Sequence, residues 1–259
     1  GGRTLSPSMI RFFALTRREV SRFVKIKGQT IGAPLLETFL YISVFGAALG
    51  TRVGDLDGVD YVVYVIPGLI LMAWAINAFT NNASSLLQQK FQRSIDDQLS
   101  SPATPIQLLL AFTLGGFLRG MTIAIITFLV ASVLVDLPVE HPVVLVISLF
   151  LVGFFFSQLG VLVGIRAEQF DDVSFAQTFI LQPLIFLGGI FYSASLLPEP
   201  YQTLTHFNPV YYMISTVRYG FLGQQDVNIT LSLIGLTIAT GALFLANHRL
   251  FVSGYKLRT

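Results

Sequence analysis

Two ionisable side chains lie inside long apolar stretches of the sequence, where any binding chemistry would involve them. Glu37 lies in the stretch 30–49 and Arg119 in the stretch 108–135. A charged side chain in the hydrocarbon of a bilayer costs about 2–3 kcal/mol or more, so each needs a protein neighbour, water or the headgroup region. Glu37 suits either a substrate or gating contact or a hydrogen-bonded structural glutamate near the cytoplasmic interface. Arg119 raises the same question, and its simpler role is extension of the long side chain to lipid phosphates.

The residue types that perform catalysis occur in the sequence but are not grouped. His141, His206 and His248 fall in separate loops without the spacing of a metal site. The chain has no cysteine, which excludes thiolate ligands and a cysteine nucleophile. There is neither a G-x-S-x-G elbow nor a G-x-x-x-x-G-K-[ST] phosphate loop. The sequence therefore predicts no catalytic residue, no metal ligand, no cofactor bound by this chain and no enzymatic activity.

The composition indicates a membrane protein. Hydrophobic residues make up 53% of the 259 and charged residues only 12%, whereas ordinary soluble domains average about 45–50% and about 25%. Membrane-spanning helices and short loops take up most of this length, which leaves no room for a sizeable soluble domain. We expect one transmembrane domain over 1–259 and no nucleic-acid partner.

Hydropathy predicts an all-α membrane protein with six transmembrane helices. The apolar stretches that approach the required length of about 20 residues are 30–49, 59–80, 108–135, 143–165, 173–193 and 229–246. The segment 7–27 alternates apolar and basic residues, which is typical of a helix lying in the membrane interface. In 195–225, Pro198, Pro200 and Pro209 interrupt apolar runs too short to cross a bilayer. This pattern predicts a short re-entrant helical hairpin on the outer side.

The distribution of positive charge predicts the orientation, because cytoplasmic loops retain Lys and Arg. The basic residues on one side of the six-helix arrangement are Arg3, Arg11, Arg17, Arg18, Arg22, Lys25, Lys27, Lys90, Arg93, Arg166, Arg249, Lys256 and Arg258. The other side holds only Arg52 and Arg218, among several acidic residues. Both termini are therefore expected in the cytoplasm.

The segment 93–102, between the second and third spans, predicts a short cytoplasmic helix. Ile95 and Leu99 stand four residues apart and so share a helix face, and Pro102 ends the segment. An amphipathic helix of this kind suits docking into a groove of a partner protein. An ordinary solvated loop is the simpler interpretation of this spacing alone.

Two smaller charge groups have open interpretations. Arg166, Glu168, Asp171 and Asp172 form either a contact with the basic N-terminal helix or a partner, or a solvated turn. Arg218 suits an anionic headgroup, but a local pair with Asp226 is the simpler expectation.

Three landmarks, taken in order, resemble the permeases of the ABC-2 type exporter family. They are Pro67-Gly68 at the opening of the second span, the segment from Arg93 to Ser101-Pro102, and Asn208-Pro209-Val210-Tyr211-Tyr212 continuing to Arg218-Tyr219-Gly220. The resemblance covers essentially the whole chain and is nearest to the YadH-like inner-membrane permeases. It implies a multi-pass protein of the bacterial inner membrane.

The resemblance also implies partners and roles. Two ATP-binding subunits, which carry ATP and magnesium, would join a dimer of permeases, expected to be a homodimer in contact with membrane lipid. The residues implied to transmit ATPase movement are Arg93, Ile95, Asp96, Asp97, Leu99 and Pro102. Spans one and five would pair in the dimer, which makes Glu37, Phe39, Tyr41, Phe179, Gln182, Phe186 and Phe191 the candidates for the lining of the substrate path.

Two other function classes fit the sequence less well. A transporter or channel driven by an ion gradient usually has several ionisable groups near the bilayer midplane, or related repeats. This chain offers essentially Glu37 and Arg119 and no visible repeat. A lipid-modifying enzyme would need a reactive cluster at one interface, and the sequence suggests none.

Overall fold

The long apolar segments form long helices in the computed structural model, which describes residues 6–25, 28 and 32–257. The helices are α1 (Pro7–Val24), α2 (Ala33–Val44), α3 (Thr51–Val53), α4 (Tyr61–Phe91), α5 (Ser94–Ser100), α6 (Pro105–Leu134), α7 (Pro142–Arg166), α8 (Phe170–Phe175), α9 (Gln182–Phe186), α10 (Tyr201–Phe207), α11 (Pro209–Leu222) and α12 (Ile229–Ser253). Wider π-helical turns, Phe45–Gly50 and Ala176–Leu181, join α2 to α3 and α8 to α9. Arg3, Lys27 and Arg258 lie outside the described residues, as do the predicted boundaries at 27 and 30.

Helix α4 lies at the centre of the bundle and packs against α6 and α7. Glycines allow this close approach, because a Cβ on Gly120 would overlap the Trp74 side chain and a Cβ on Gly160 would overlap the Phe79 carbonyl oxygen. Small residues at such positions let helix backbones meet closely in a membrane. The pairs Gly116/Gly120 and Gly160/Gly164 therefore mark packing inside one chain.

Five helical segments among the described residues are long and apolar enough to cross a membrane. They are Ala33–Gly50 and the helices α4, α6, α7 and α12. The predicted span 173–193 instead forms a helical segment over 170–186, which ends before Gly188 and Gly189. Gly189 has a φ of 90°, a conformation that favours glycine and lies outside any helix. The six-span count and the cytoplasmic location of both termini therefore stay predictions.

Several predicted boundaries need correction. Helix α4 continues to Phe91, well beyond the predicted end at 80, and it begins at Tyr61, so Pro67 lies inside the helix. The protein is also not purely helical, because strands β1 (Asp55–Leu56) and β2 (Val59–Asp60) form a small antiparallel hairpin before α4. Over the predicted hairpin 195–225, α10 and α11 follow a single 3₁₀ turn, Ala194–Leu196. Its re-entrant position in a membrane stays a prediction.

Candidate substrate path and coupling segment

A polar cavity lies between α2, α4, α6 and the segment 176–182. Its volume is about 190 Å³. The lining residues are Pro34, Glu37, Thr38, Tyr41, Leu69, Met72, Ala73, Ile76, Asn77, Ile123, Thr127, Gln177 and Gln182. We call it the Glu37 cavity. Three of the seven path residues predicted from the sequence, Glu37, Tyr41 and Gln182, line this one space.

Hydrogen bonds between helices shape the walls of the Glu37 cavity. Thr38 on α2 donates to Thr127 Oγ1 on α6 at 3.3 Å, and Thr80 on α4 donates to Gln177 Oε1 at 3.0 Å. Glu37 is exposed and makes no hydrogen bond or ion pair with any residue that the structure describes. The cavity thus presents a carboxylate that is available to a hydrogen-bond donor or a cation.

An aromatic cluster adjoins the Glu37 cavity through Tyr41. The ring of Tyr41 stacks on Phe45 with centroids 5.9 Å apart, and Phe45 stacks on Phe191 at 4.7 Å. Phe186 also stacks on Phe191, with centroids 5.6 Å apart. Two more predicted path residues, Phe186 and Phe191, therefore lie in this apolar cluster rather than in the polar cavity.

The remaining predicted path residues lie on an outer surface. Phe39 is 50% exposed and Phe179 is 67% exposed. They belong to α2 and to the turn 176–181, the elements that also supply Glu37 and Gln177. The structure does not bring either phenylalanine into the cavity of the single chain.

Sequence reasoning missed the cavity residues Asn77 and Gln177. Both are amide side chains within predicted spans, and such a polar residue in an apolar stretch commonly faces protein or a water-filled space. That signal was available for each residue alone. Their convergence with Glu37 could not be predicted in this way, because it depends on how α2 and α4 cross.

The predicted coupling segment forms helix α5, but its apolar face points inward. Ile95 is fully buried and packs in a core with Leu108 and Phe251, and Leu99 packs partly buried against the same core. The expectation that these two residues present an apolar docking face to a partner is corrected, because Ile95 has no accessible surface. The exposed residues of the segment are Arg93, Asp97, Ser100 and Pro102. Partner contact by 93–102 stays a prediction that these exposed residues would carry.

A buried carboxylate ties α1 to α4 and α5. Glu19, only 2% exposed, accepts hydrogen bonds from Ser85 Oγ at 2.6 Å and from Gln89 Nε2 at 2.9 Å, and it pairs with Arg18. Gln98 on α5 donates to Gln89 Oε1 at 2.7 Å. Movement of α5 would thus be transmitted to α1 and α4 through side-chain contacts. Sequence reasoning missed Glu19, although it is the only acidic residue of α1.

The charges of 166–172 contact the C-terminal segment. Lys256 donates to Glu168 Oε1 at 2.8 Å, which lowers the pKa of Glu168 and raises that of Lys256. Asp172 accepts from the backbone N–H groups of Glu168 and Gln169, and these bonds lower its pKa. Among the described residues, this turn has no ion pair with α1.

Arg218 forms the local pair expected from the sequence. Its Nη1 lies 3.6 Å from Asp226 Oδ2, and its Nη2 donates to the Gly189 carbonyl at 2.7 Å. The guanidinium also lies over the Tyr64 ring, 3.9 Å from the centroid. Arg218 therefore fastens α11 to α4 and to the turn after α9.

Comparison with known proteins gives matches over most of the chain. A family model described as ABC-2 type transporter matches residues 10–222, which include the Glu37 cavity and α5. The inner membrane transport permease YadH of Escherichia coli strain K12 is 38% identical over 242 residues, covering 93% of this chain and 94% of that protein. Nodulation protein J of Rhizobium leguminosarum bv. viciae is 26% identical over 257 residues, covering 95% and 96% respectively.

Proposed function

Because this chain belongs to the ABC-2 type transporter family, we propose that it is the membrane-spanning permease subunit of an ATP-driven exporter in the inner membrane. Two copies, expected to be identical, form the substrate path along their shared interface. Two separate ATP-binding subunits bind ATP and magnesium and drive the permeases through α5. The name of the YadH relative, an inner membrane transport permease, supports the location and a transport rather than an enzymatic role.

The observation that carries this proposal is the exposed carboxylate of Glu37 on an otherwise apolar face. Around Glu37, α2 exposes Leu36, Phe39, Leu40 and Val44, each at least 50% accessible in the single chain. Lipid suits these apolar side chains but does not suit a carboxylate, which in a membrane faces protein or water. A second permease copy against α2 places Glu37 in a seam between subunits. The face of α2 therefore supports a dimer.

The chemistry of the path favours an amphipathic or lipid-linked cargo. The Glu37 cavity offers a carboxylate, amides and hydroxyl groups, which suit hydrogen-bond donors and cationic groups. The adjacent cluster of Tyr41, Phe45, Phe186 and Phe191 offers an apolar surface. A molecule with one polar and one apolar part would contact both surfaces as it leaves the inner leaflet.

The coupling role is assigned to the exposed side of α5. Arg93, Asp97 and Pro102 are accessible to a partner, whereas Ile95 anchors the helix in the core. The bond from Gln98 to Gln89, and from Gln89 to Glu19, gives a path by which displacement of α5 reaches α1 and α4. Such displacement would bias two arrangements of the helices around the path.

Disulfide cross-linking tests the dimer seam, and the absence of native cysteines makes every introduced thiol unique. Phe39→Cys and Phe179→Cys, singly and together, should give oxidised dimers in membranes. Val146→Cys is the matched control, because Val146 is 66% exposed but lies on α7. Cross-linking of V146C as fast as F39C would reflect random collision and remove the support for this seam.

ATP hydrolysis in lipid tests the coupling assignment. After co-purification with the candidate ATP-binding subunit, Asp97→Lys should reduce lipid-dependent hydrolysis about tenfold or more, because reversed charge disfavours a fitted interface. Asp136→Lys, the same charge change at an exposed residue on the predicted outer side, should leave it near wild type. Transport that persists without any ATP-binding subunit and follows an ion gradient would replace this proposal with a gradient-driven transporter.

A further inference from the structure

Helices α1 and α6 bring two arginines together near the predicted cytoplasmic end of the bundle. The helices meet at Gly115, where an added Cβ would lie 2.7 Å from Glu19 Cβ. Arg22 follows Glu19 by about one helical turn, and Arg119 follows Gly115 by about one turn. The two guanidinium groups consequently lie within electrostatic range of each other, and each arginine is partly buried.

Neither of these arginines forms an ion pair with a described residue, although Glu19 lies within electrostatic range of Arg22. Arg22 donates from Nη2 to the carbonyl oxygen and Oδ1 of Asn81, at 2.6 and 3.0 Å, and Arg119 makes no hydrogen bond or ion pair with a described residue. The Nε atom of each is buried without an acceptor. Within the described network the nearby carboxylate, Glu19, already accepts bonds from Ser85, Gln89 and Arg18. Burial lowers the pKa of Arg22, which reflects the cost of an under-compensated charge.

A cleft opens beside Arg22 between α1 and the C-terminal end of α4. Its volume is about 530 Å³, and its lining includes the cations Arg18, Arg22 and Lys25 together with Gln88 and Ser94. Glu19 is the one acidic residue of the lining. The cleft therefore combines an excess of positive charge with neutral hydrogen-bond donors, which is the chemistry that recognises phosphate.

The surface of α1 places this cleft next to lipid. Ile10, Phe13 and Val24 are each about half exposed, although they are large apolar residues. A helix that carries such an apolar stripe beside arginines lies at the level of the lipid headgroups. Phosphate groups attached to lipids are therefore the anions present at highest local concentration.

We propose that the cleft between α1 and α4 binds the phosphate group of a lipid, with Arg22 as the contact residue and Arg119 as a second positive charge behind it. The lipid is either an ordinary anionic phospholipid of the inner leaflet or a cargo carried on a lipid phosphate or diphosphate. This site goes beyond the proposed transport function, because lipid binding there requires neither ATP nor the partner subunit.

Native mass spectrometry of the complete chain in detergent, titrated with phosphatidylglycerol, tests the site. Arg22→Gln and Arg119→Gln should each weaken binding of the tightest phosphatidylglycerol about tenfold, the loss expected for one charge-assisted contact. Arg17→Gln is the matched control, because Arg17 is exposed on α1 and does not line the cleft. Arg22→Lys should retain part of the affinity, since it keeps the charge and loses the forked geometry.

Further measurements distinguish an unfolded variant from a loss of binding, and an ordinary phospholipid from a lipid-linked cargo. Arg119→Gln breaks no hydrogen bond with a described residue, so it carries the test even if R22Q unfolds. Displacement of bound phosphatidylglycerol by inorganic pyrophosphate would indicate that the site also accepts the diphosphate of a cargo. Absence of displacement would indicate an ordinary phospholipid.

Two results would overturn the lipid phosphate site. The first is equal affinity for phosphatidylglycerol in R22Q, R119Q, R17Q and wild type. The second is unchanged lipid binding with reduced recovery of the ATP-binding subunit, which would assign the cleft to an acidic segment of that protein. Because lipid binding is measured without ATP or the partner, failure here leaves the proposed exporter function intact.

Discussion

Fully or partly buried arginines occur at both ends of this molecule, and their surroundings differ. At one end Arg218 is 1% exposed, pairs with Asp226, donates to the Gly189 carbonyl and lies over the Tyr64 ring. At the other end Arg22 bonds only neutral amide oxygens, and Arg119 adds a second positive charge nearby. The Nε atoms of all three are buried without an acceptor, so the difference lies in the compensating charge.

This difference separates a structural charge from one that is available for binding. A guanidinium with a carboxylate and an aromatic face around it is already compensated, and its removal leaves other groups unpaired. A guanidinium held by neutral oxygens next to another cation keeps a positive potential that an anion can use. The paired arginine should therefore matter most for stability, and the unpaired arginines most for ligand affinity.

The strongest test of the comparison is Arg218→Gln. Breaking a buried ion pair by removing one partner typically costs several kcal/mol, and here we expect a loss of about 3 kcal/mol in the free energy of unfolding. The fluorescence of the only tryptophan, the buried Trp74, reports unfolding in detergent. Arg52→Gln is the control, an exposed arginine with the same charge change, and it should cost little. Equal losses in R218Q and R52Q would contradict a structural role for the Arg218 contacts.

The second test separates α1 from α6 without changing any charge. Gly115→Ala places a Cβ against Glu19 and should cost about 1–3 kcal/mol of stability, because overpacking forces helices apart. It should also weaken phosphatidylglycerol binding by moving Arg22 away from Arg119. Gly241→Ala in α12 meets nothing within 4 Å and should be neutral or stabilising by up to about 1 kcal/mol. Lipid affinity that is unchanged in G115A would show that the two arginines do not act together.

Hydropathy predicts the long helices of this protein well and their interruptions poorly. The predicted spans 108–135 and 143–165 differ from α6 and α7 by at most three residues at each end, because uninterrupted apolar runs set both. The span 173–193 is different: its hydropathy continues through Gly188 and Gly189, where the backbone leaves the helix. A window average does not detect a turn of two glycines inside an apolar run.

Periodicity likewise predicts which residues share a face of a short helix. It does not predict whether that face is turned to the core or to solvent. The spacing of Ile95 and Leu99 places both on one face of α5, yet only the packing against Phe251 shows that this face is internal. For the same reason Glu37 stood out within its span, whereas its neighbours Asn77 and Gln177 became visible only when the helices were assembled. Local spacing specifies a face, and contacts between distant helices specify its surroundings.

The third prediction is that removal of Arg119, unlike removal of Arg218, does not lower the free energy of unfolding. Arg119→Met replaces a half-buried charge, which has no partner among the described residues, with an apolar side chain of similar length. Loss of an uncompensated charge should leave the free energy of unfolding unchanged or raise it by about 1 kcal/mol. The measurement is Trp74 fluorescence in detergent without added anionic lipid. A loss in R119M as large as that in R218Q would mean that Arg119 is compensated by a group beyond those described.

The smallest expected effect concerns a charge that is compensated but solvent-exposed. Backbone N–H groups of Glu168 and then Gln169 hold the pKa of Asp172 below its usual value of 3.8. A carboxyl group whose pKa is lowered by folding stabilises the folded state at pH values above its unfolded-state pKa. This stabilisation is lost as the pH falls through the folded-state pKa. The melting temperature of the wild type should therefore fall more steeply than that of Asp172→Asn as the pH is lowered from about 5 to about 3. Because Asp172 is exposed, the difference should be well below the Arg218 effect. Identical pH profiles for D172N and wild type would show that these two bonds do not contribute.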